Sequence, residues 1–69
     1  MIYIAFGSMS WRVEAQPLAC GTNKREVIKA GVAELRRMSP DFVGDDKPRA
    51  RDVALYLANP ATGTLEQVL

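Results

Sequence analysis

Histidine is absent from this chain of 69 residues, and cysteine occurs only once, at Cys20. Without histidine the chain lacks the commonest general base near neutral pH and cannot form a Cys/His zinc site. A single thiol cannot form a disulfide within the chain. We therefore expect no enzymatic activity, no catalytic residue, no cofactor and no bound metal.

The remaining candidates for chemistry have simpler interpretations. Because free cysteine is among the most buried residue types, we interpret Cys20 as a small, half-buried side chain at a strand-to-helix junction. Asp41, Asp45 and Asp46 lack the alternating spacing of a calcium loop, so they are predicted to be solvated loop charges. The glycines are scattered singly, which argues against a phosphate-binding loop.

Long apolar runs are also missing, since charged residues recur from Arg12 onward. A membrane-spanning helix needs about 18 apolar residues, and none is expected here. Residues 1–6 are too short and too uncharged at their start for a signal peptide. Together with the lone thiol, this predicts a cytoplasmic protein without membrane contact.

Charge is nearly balanced, with a formal net charge of +1. Residues 1–40 carry six basic against three acidic side chains, and residues 41–69 carry three against five. This balance favours no class of partner. A chain this short forms one domain, residues 1–69, and buries only about 60% of its unfolded surface. A homodimer would be an additional source of stability.

The first elements read as a β-hairpin. Residues 2–6 are β-branched or aromatic, and residues 11–16 alternate apolar and polar with a period of two. Pro17 ends the second strand because it has no amide hydrogen to donate.

A helix is predicted over residues 24–38. Asn23 is a good N-cap, and Glu26 stands three residues later as in a capping box. Ser39 precedes Pro40 and leaves the helical region. The apolar stripe of this helix consists of Val27, Ile28, Gly31, Val32, Leu35 and Met38.

Residues 39–51 are rich in proline and charge and are predicted to form a loop, with Phe42 and Val43 packed against the end of the helix. Residues 52–58 and 64–69 form a second hairpin around the turn at residues 59–63, where Asn, Pro and Gly suit a type I turn with a left-handed bulge residue. The fold class is α+β: a ββαββ domain with one helix on an antiparallel sheet of about four strands.

The helix offers one candidate binding surface. Arg25, Lys29 and Arg36 lie within about 40° of one another, beside the apolar stripe. Such a ridge is predicted either to solubilise the helix or to bind carboxylates or phosphates, aided by the helix dipole at one end. Arg37, on the opposite face of the helix, is a further candidate contact.

The open face of the sheet is the second candidate surface. Tyr3 and Tyr56 are expected there near Arg12, a group that could stack nucleic-acid bases. Dimerisation is the alternative, because Ala5, Ala54 and Ala58 would leave the same face apolar.

Residues 20–31, with the sequence CGTNKREVIKAG, resemble the turn and second helix of ribbon-helix-helix DNA-binding proteins. The resemblance covers less than half of the chain. It implies that residues 2–6 pair with a second copy in a dimer that binds nucleic acid.

The whole plan is similar to small phage-encoded accessory proteins, including anti-CRISPR proteins, in its length, its early first strand, its helix capped at Asn23 and its tight turn at residues 59–63. This resemblance implies stoichiometric binding to a host protein complex. We predict a non-catalytic protein-binding module, an inhibitor of the phage type. The alternative is a small nucleic-acid-binding protein that uses the helix ridge or strand pairing in a dimer.

Overall fold

The computed structural model describes residues 1–7 and 17–69. Within them, strands β1 (Ile2–Gly7) and β2 (Ala19–Gly21) are followed by helix α1 (Lys24–Met38) and strands β3 (Val53–Asn59) and β4 (Thr64–Gln67). The four strands form one antiparallel sheet in the order β2-β1-β3-β4, and α1 packs on one side of it. The predicted α+β class and the ββαββ order are confirmed.

Helix α1 has the predicted bounds because its ends are specified locally. The Asn23 side-chain oxygen accepts a hydrogen bond from the Glu26 amide at 3.1 Å, which satisfies one of the free donors of the first turn. At the other end, Ser39 has left the helical conformation and its amide donates to the Arg36 carbonyl oxygen. Pro40 then prevents continuation.

The core lies between α1 and the two central strands. Ala5, Val27, Leu35, Val53 and Leu55 are its buried apolar side chains. Gly31 also faces this core, and a Cβ atom at this position would lie 3.0 Å from the Cβ of Ala5. The missing side chain therefore allows the helix to approach β1 closely.

The second hairpin forms as predicted. Both Thr62 and Gly63 donate their amides to the Asn59 carbonyl oxygen, at 3.3 and 2.8 Å. Gly63 has a φ of 67°, the left-handed conformation that glycine adopts at low cost. The side-chain oxygen of Asn59 also accepts the Ala61 amide at 3.1 Å, which fixes the turn.

One of the two strands that pair with β1 was not predicted. The expected strand at residues 11–16 lies outside the described residues, and β1 lies between β3 and Ala19–Gly21, which follows Pro17. The Leu18 amide extends this pairing by donating to the Ala5 carbonyl oxygen at 2.7 Å. The three-residue strand leads directly into the cap of α1.

Phe42 and Val43 are not buried as a plug at the end of the helix. Their exposed fractions are 50% and 69%. Pro48 is instead a fully buried side chain of this loop, which contains two short 3-10 turns, Gly44–Asp46 and Ala50–Asp52. Proline has no amide hydrogen, so burying it leaves no backbone donor unsatisfied.

Across residues 1–7 and 17–69, no helix combines the length and the apolar character that crossing a bilayer requires.

Candidate functional site

An open groove of about 1110 Å³ runs along one side of α1. We call it the cationic groove, after the four basic residues that line it. Its floor is formed by apolar and aromatic side chains from α1 and β1. Its lining includes Tyr3, Lys24, Arg25, Ile28, Lys29, Val32 and Arg36.

The helix position explains why a groove exists here. Helix α1 lies mainly over β1 and β2 and contacts β3 less. The flank of α1 and the adjoining part of the sheet therefore meet at an angle. No other helix or strand of the described residues fills the space between them. Ile28 and Val32 sit at this angle, and both are only half-buried.

Three of the basic side chains are those of the predicted ridge. Arg25, Lys29 and Arg36 all line the cationic groove, joined by Lys24 from the first turn. Their common direction follows from the helical repeat, since separations of four and eleven residues return to nearly the same face. The sequence thus places a row of cations directly beside an apolar strip.

The cationic groove is electrostatically one-sided. No aspartate or glutamate belongs to its described lining, and Lys24, Arg25 and Lys29 have no ion-pair partner among residues 1–7 and 17–69. The N-terminal end of α1 adds a partial positive charge near Lys24 and Arg25. The groove therefore attracts anionic groups, and the attraction weakens with added salt.

Arg36 is held in place at the far end. Its Nε donates to the carbonyl oxygen of Pro48 at 2.9 Å, and this bond is partly buried. Ala50, from the following 3-10 turn, also lines the groove near this end. The bond uses only one of the five N–H donors of the guanidinium group and leaves the others for a ligand.

Tyr3 occupies a different place from the predicted one. It packs against the core and lines the cationic groove on the helix side of the sheet, whereas Tyr56 is on the opposite face. The register explains this, because Tyr3 pairs with Leu57 while Tyr56 pairs with Ile4. The predicted grouping of Tyr3 with Tyr56 is therefore wrong, and Arg12 lies outside the described residues.

Arg37 forms an ion pair instead of lining the groove. Its guanidinium donates through Nε and a terminal nitrogen to Oε1 of Glu34, one turn earlier. The hydrogen bond and the positive charge of Arg37 hold the pKa of Glu34 below its usual range. Both groups are in contact with solvent, so the pair contributes little to stability.

The Glu34–Arg37 pair gives a direct test of the helix surface. A carboxyl group whose pKa is lowered in the folded state stabilises that state above its unfolded pKa, and this contribution is lost as the pH falls through the lowered value. Carbon-13 NMR titration should show a lowered pKa for Glu34, and Arg37→Gln should return it towards the ordinary range. An unchanged titration in Arg37→Gln would contradict the pairing.

The open face of the sheet is a second surface of different character. Among the described strand residues it carries no charged side chain. Phe6 and Tyr56 meet there edge to face, with ring centroids 5.4 Å apart. The other members of this face are Ile2, Ile4, Cys20, Ala54, Ala58, Leu65 and Gln67.

Two expectations about this face need correction. Ala5 is fully buried under α1 and does not belong to it, whereas Ala54 and Ala58 do. Cys20 lies at the predicted junction between strand and helix, but its side chain is exposed, not half-buried. Its exposure follows from its place on an edge strand, opposite Ile4 and on the side away from the helix.

Comparisons with protein-family models, with curated proteins and with solved structures each found no match.

Proposed function

We propose that this chain is a non-catalytic protein-binding module and that the cationic groove is where its partner binds. The observation that supports this proposal is the combination of four cations with an apolar floor and no described carboxylate in the lining. Protein interfaces commonly pair an apolar centre with a polar rim, and the groove has this arrangement.

The open shape of the groove favours a macromolecular partner over a small molecule. Pockets for small molecules measure about 300–1000 Å³ and enclose most of the ligand. The cationic groove, at about 1110 Å³, lies near the upper end of this range but is open to solvent, so it would enclose only part of a small ligand. A chain segment of another protein suits such a site better than a metabolite.

The proposed biological role is stoichiometric inhibition of a host protein complex in the cytoplasm. It rests on the similarity to small phage-encoded inhibitors in chain length, early first strand, capped helix and tight turn. Binding of the cationic groove to an acidic segment of the target would block the ligand that normally binds there.

Nucleic-acid binding is the second candidate, because four cations in one groove also suit phosphates. Three observations argue against it. The net charge is only +1, and Tyr3 is the one aromatic residue in the described lining. In addition, β1 is hydrogen-bonded on both edges within the chain, to β2 and to β3, so it has no free edge for pairing with a second copy.

Homodimerisation stays a prediction. The open face of the sheet, which is uncharged among the described strand residues and has Ile2 and Leu65 exposed by 47% and 56%, is the surface it would use. That face is separate from the cationic groove, so a dimer would present two grooves.

The test of the proposed function is affinity capture from a nuclease-treated host lysate with three tagged proteins. These are the wild type, the groove variant Arg25→Glu/Lys29→Glu, and the control Lys47→Glu/Arg51→Glu, which makes the same change in charge on exposed residues outside the groove. We expect the wild type and the control to retain one host protein at a fixed ratio and the groove variant to lose it. Circular dichroism checks that all three are folded.

Two results would refute the proposed function. One is recovery of nucleic acid alone from a parallel lysate without nuclease, with retention that falls steeply as salt is raised. The other is equal capture of the same host protein by the groove variant and the wild type, which would show that the partner binds another surface.

A further inference from the structure

We propose that the occupant of the cationic groove is an amphipathic α-helix with a row of acidic side chains along one border. This inference rests on the proposed function and specifies the kind of partner segment. It is drawn from the floor of the groove, the spacing of its cations and the small number of its aromatic residues.

The floor suits the apolar stripe of a helix. Ile28 and Val32 are four residues apart and form one aliphatic strip along the flank of α1, and Tyr3 forms the adjoining strip on the sheet. All three are half-buried, so each presents part of an apolar side chain to the groove. A trough between a helix flank and a sheet accepts the ridge of side chains from a second helix, as in other helix-in-groove complexes.

The spacing of the cations matches a helix more closely than an extended chain. Arg25 and Lys29 are separated by about 6 Å along the axis of α1, and Lys29 and Arg36 by about 10.5 Å. Carboxylates at positions i, i+4 and i+11 of a partner helix repeat both intervals and remain on one face. An extended chain places same-face side chains at multiples of about 6.6 Å, which fits the first interval but not the second.

The same lining argues against a single nucleic-acid strand. Proteins that bind single strands stack successive bases on several aromatic rings. The described part of the cationic groove has one ring, that of Tyr3, and otherwise an aliphatic floor. An aliphatic floor gains more from the leucine or isoleucine stripe of a helix than from flat bases.

The probe is a synthetic peptide of about 18 residues, long enough to populate a helix in water. It carries a leucine stripe bordered by glutamates at i, i+4 and i+11. Two controls accompany it: the same peptide with glutamine at those three positions, and a peptide of identical composition in which the order is scrambled. Binding is measured by fluorescence anisotropy with the wild type, with Arg25→Gln/Lys29→Gln, and with Lys47→Gln/Arg51→Gln.

We expect the glutamate peptide to bind the wild type about tenfold more tightly than the glutamine peptide, as three exposed charge pairs predict. Arg25→Gln/Lys29→Gln should remove most of that difference, and Lys47→Gln/Arg51→Gln should keep it. Helicity measured by circular dichroism should rise on mixing, and NMR shifts should change at Ile28 and Val32.

Equal binding of the glutamate, glutamine and scrambled peptides would overturn the inference. Tighter binding of a 15-residue oligothymidine than of the glutamate peptide would also overturn it, in favour of the single strand. The segment of a captured host protein that touches the groove can be identified by cross-linking. If that segment is an extended chain, the helical occupant is refuted while the proposed function stands. Recovery of nucleic acid alone, or equal capture by the groove variant, refutes the proposed function itself, so the two failures are distinguishable.

Discussion

Leu55→Ala is expected to lower the free energy of unfolding by about 2–5 kcal/mol, the cost of emptying a fully buried leucine site. Leu55 has no exposed surface and lies at the centre of β3, opposite Ala5. A chain of 69 residues has a total stability of about 3–10 kcal/mol. The substitution therefore removes a large fraction of that total, and thermal and urea unfolding measured by circular dichroism will show the loss.

The matched control is Leu65→Ala, the same chemical change on neighbouring β4. The Leu65 side chain is 56% exposed and lies on the open face of the sheet. Its truncation should change the stability of the monomer by less than about 1 kcal/mol. A similar loss in both variants would show that the core is not centred on Leu55. A large loss only in Leu65→Ala, at protein concentrations that favour association, would instead indicate that the open face is covered by a second copy.

The helix and the second hairpin were predictable because short signals decide them. Asn23 and Pro40 mark the ends of α1, and the turn from Asn59 to Gly63 sets the pairing of β3 with β4. Each signal acts through contacts within a few residues, so it can be read without knowledge of the rest of the fold.

The orientation of β1 was not predictable in this way. Residues 2–6 are apolar at every position, so they lack the alternation that normally shows which side chains face the core. The small Ala5 faces α1 because Gly31 approaches it there, and Tyr3 follows Ala5 onto the helix side. Only the tertiary contact between Gly31 and Ala5 decides which side chains of β1 face the helix. The sequence alone therefore predicts the wrong face of the sheet for Tyr3.

The candidate site was predictable only where local helical spacing determines it. The row of Arg25, Lys29 and Arg36 follows from helical spacing alone. The floor required the position of β1, and the hydrogen bond from Arg36 to Pro48 joins residues twelve apart in the chain through a loop without a repeating pattern. A proline between charged residues carries no sequence signal that it will be buried.

Gly31→Val is expected to cost about 2–3 kcal/mol through overpacking, although valine is a better helix former than glycine. A Cβ atom at residue 31 would lie 3.0 Å from the Cβ of Ala5 and 3.5 Å from both γ-carbons of Val53, before the two additional methyl groups are considered. The Cβ of Ala5 is bonded directly to the backbone of the central strand. Relief therefore requires the helix to move away from the sheet, which also changes the angle that forms the cationic groove.

Ala30→Val is the control, because it introduces the same side chain at the preceding residue of α1, which is exposed. It should cost only the difference in helix propensity, about 0.5 kcal/mol. Urea titrations of both variants, with the peptide-binding assay repeated on the folded fraction, separate the two effects. If Gly31→Val is as stable as Ala30→Val, the close approach of α1 to β1 is wrong. The spacing of the helix from the sheet sets the depth of the floor at Tyr3, Ile28 and Val32, so peptide binding should weaken in Gly31→Val. Unchanged binding by a destabilised Gly31→Val would show that the groove does not depend on that approach.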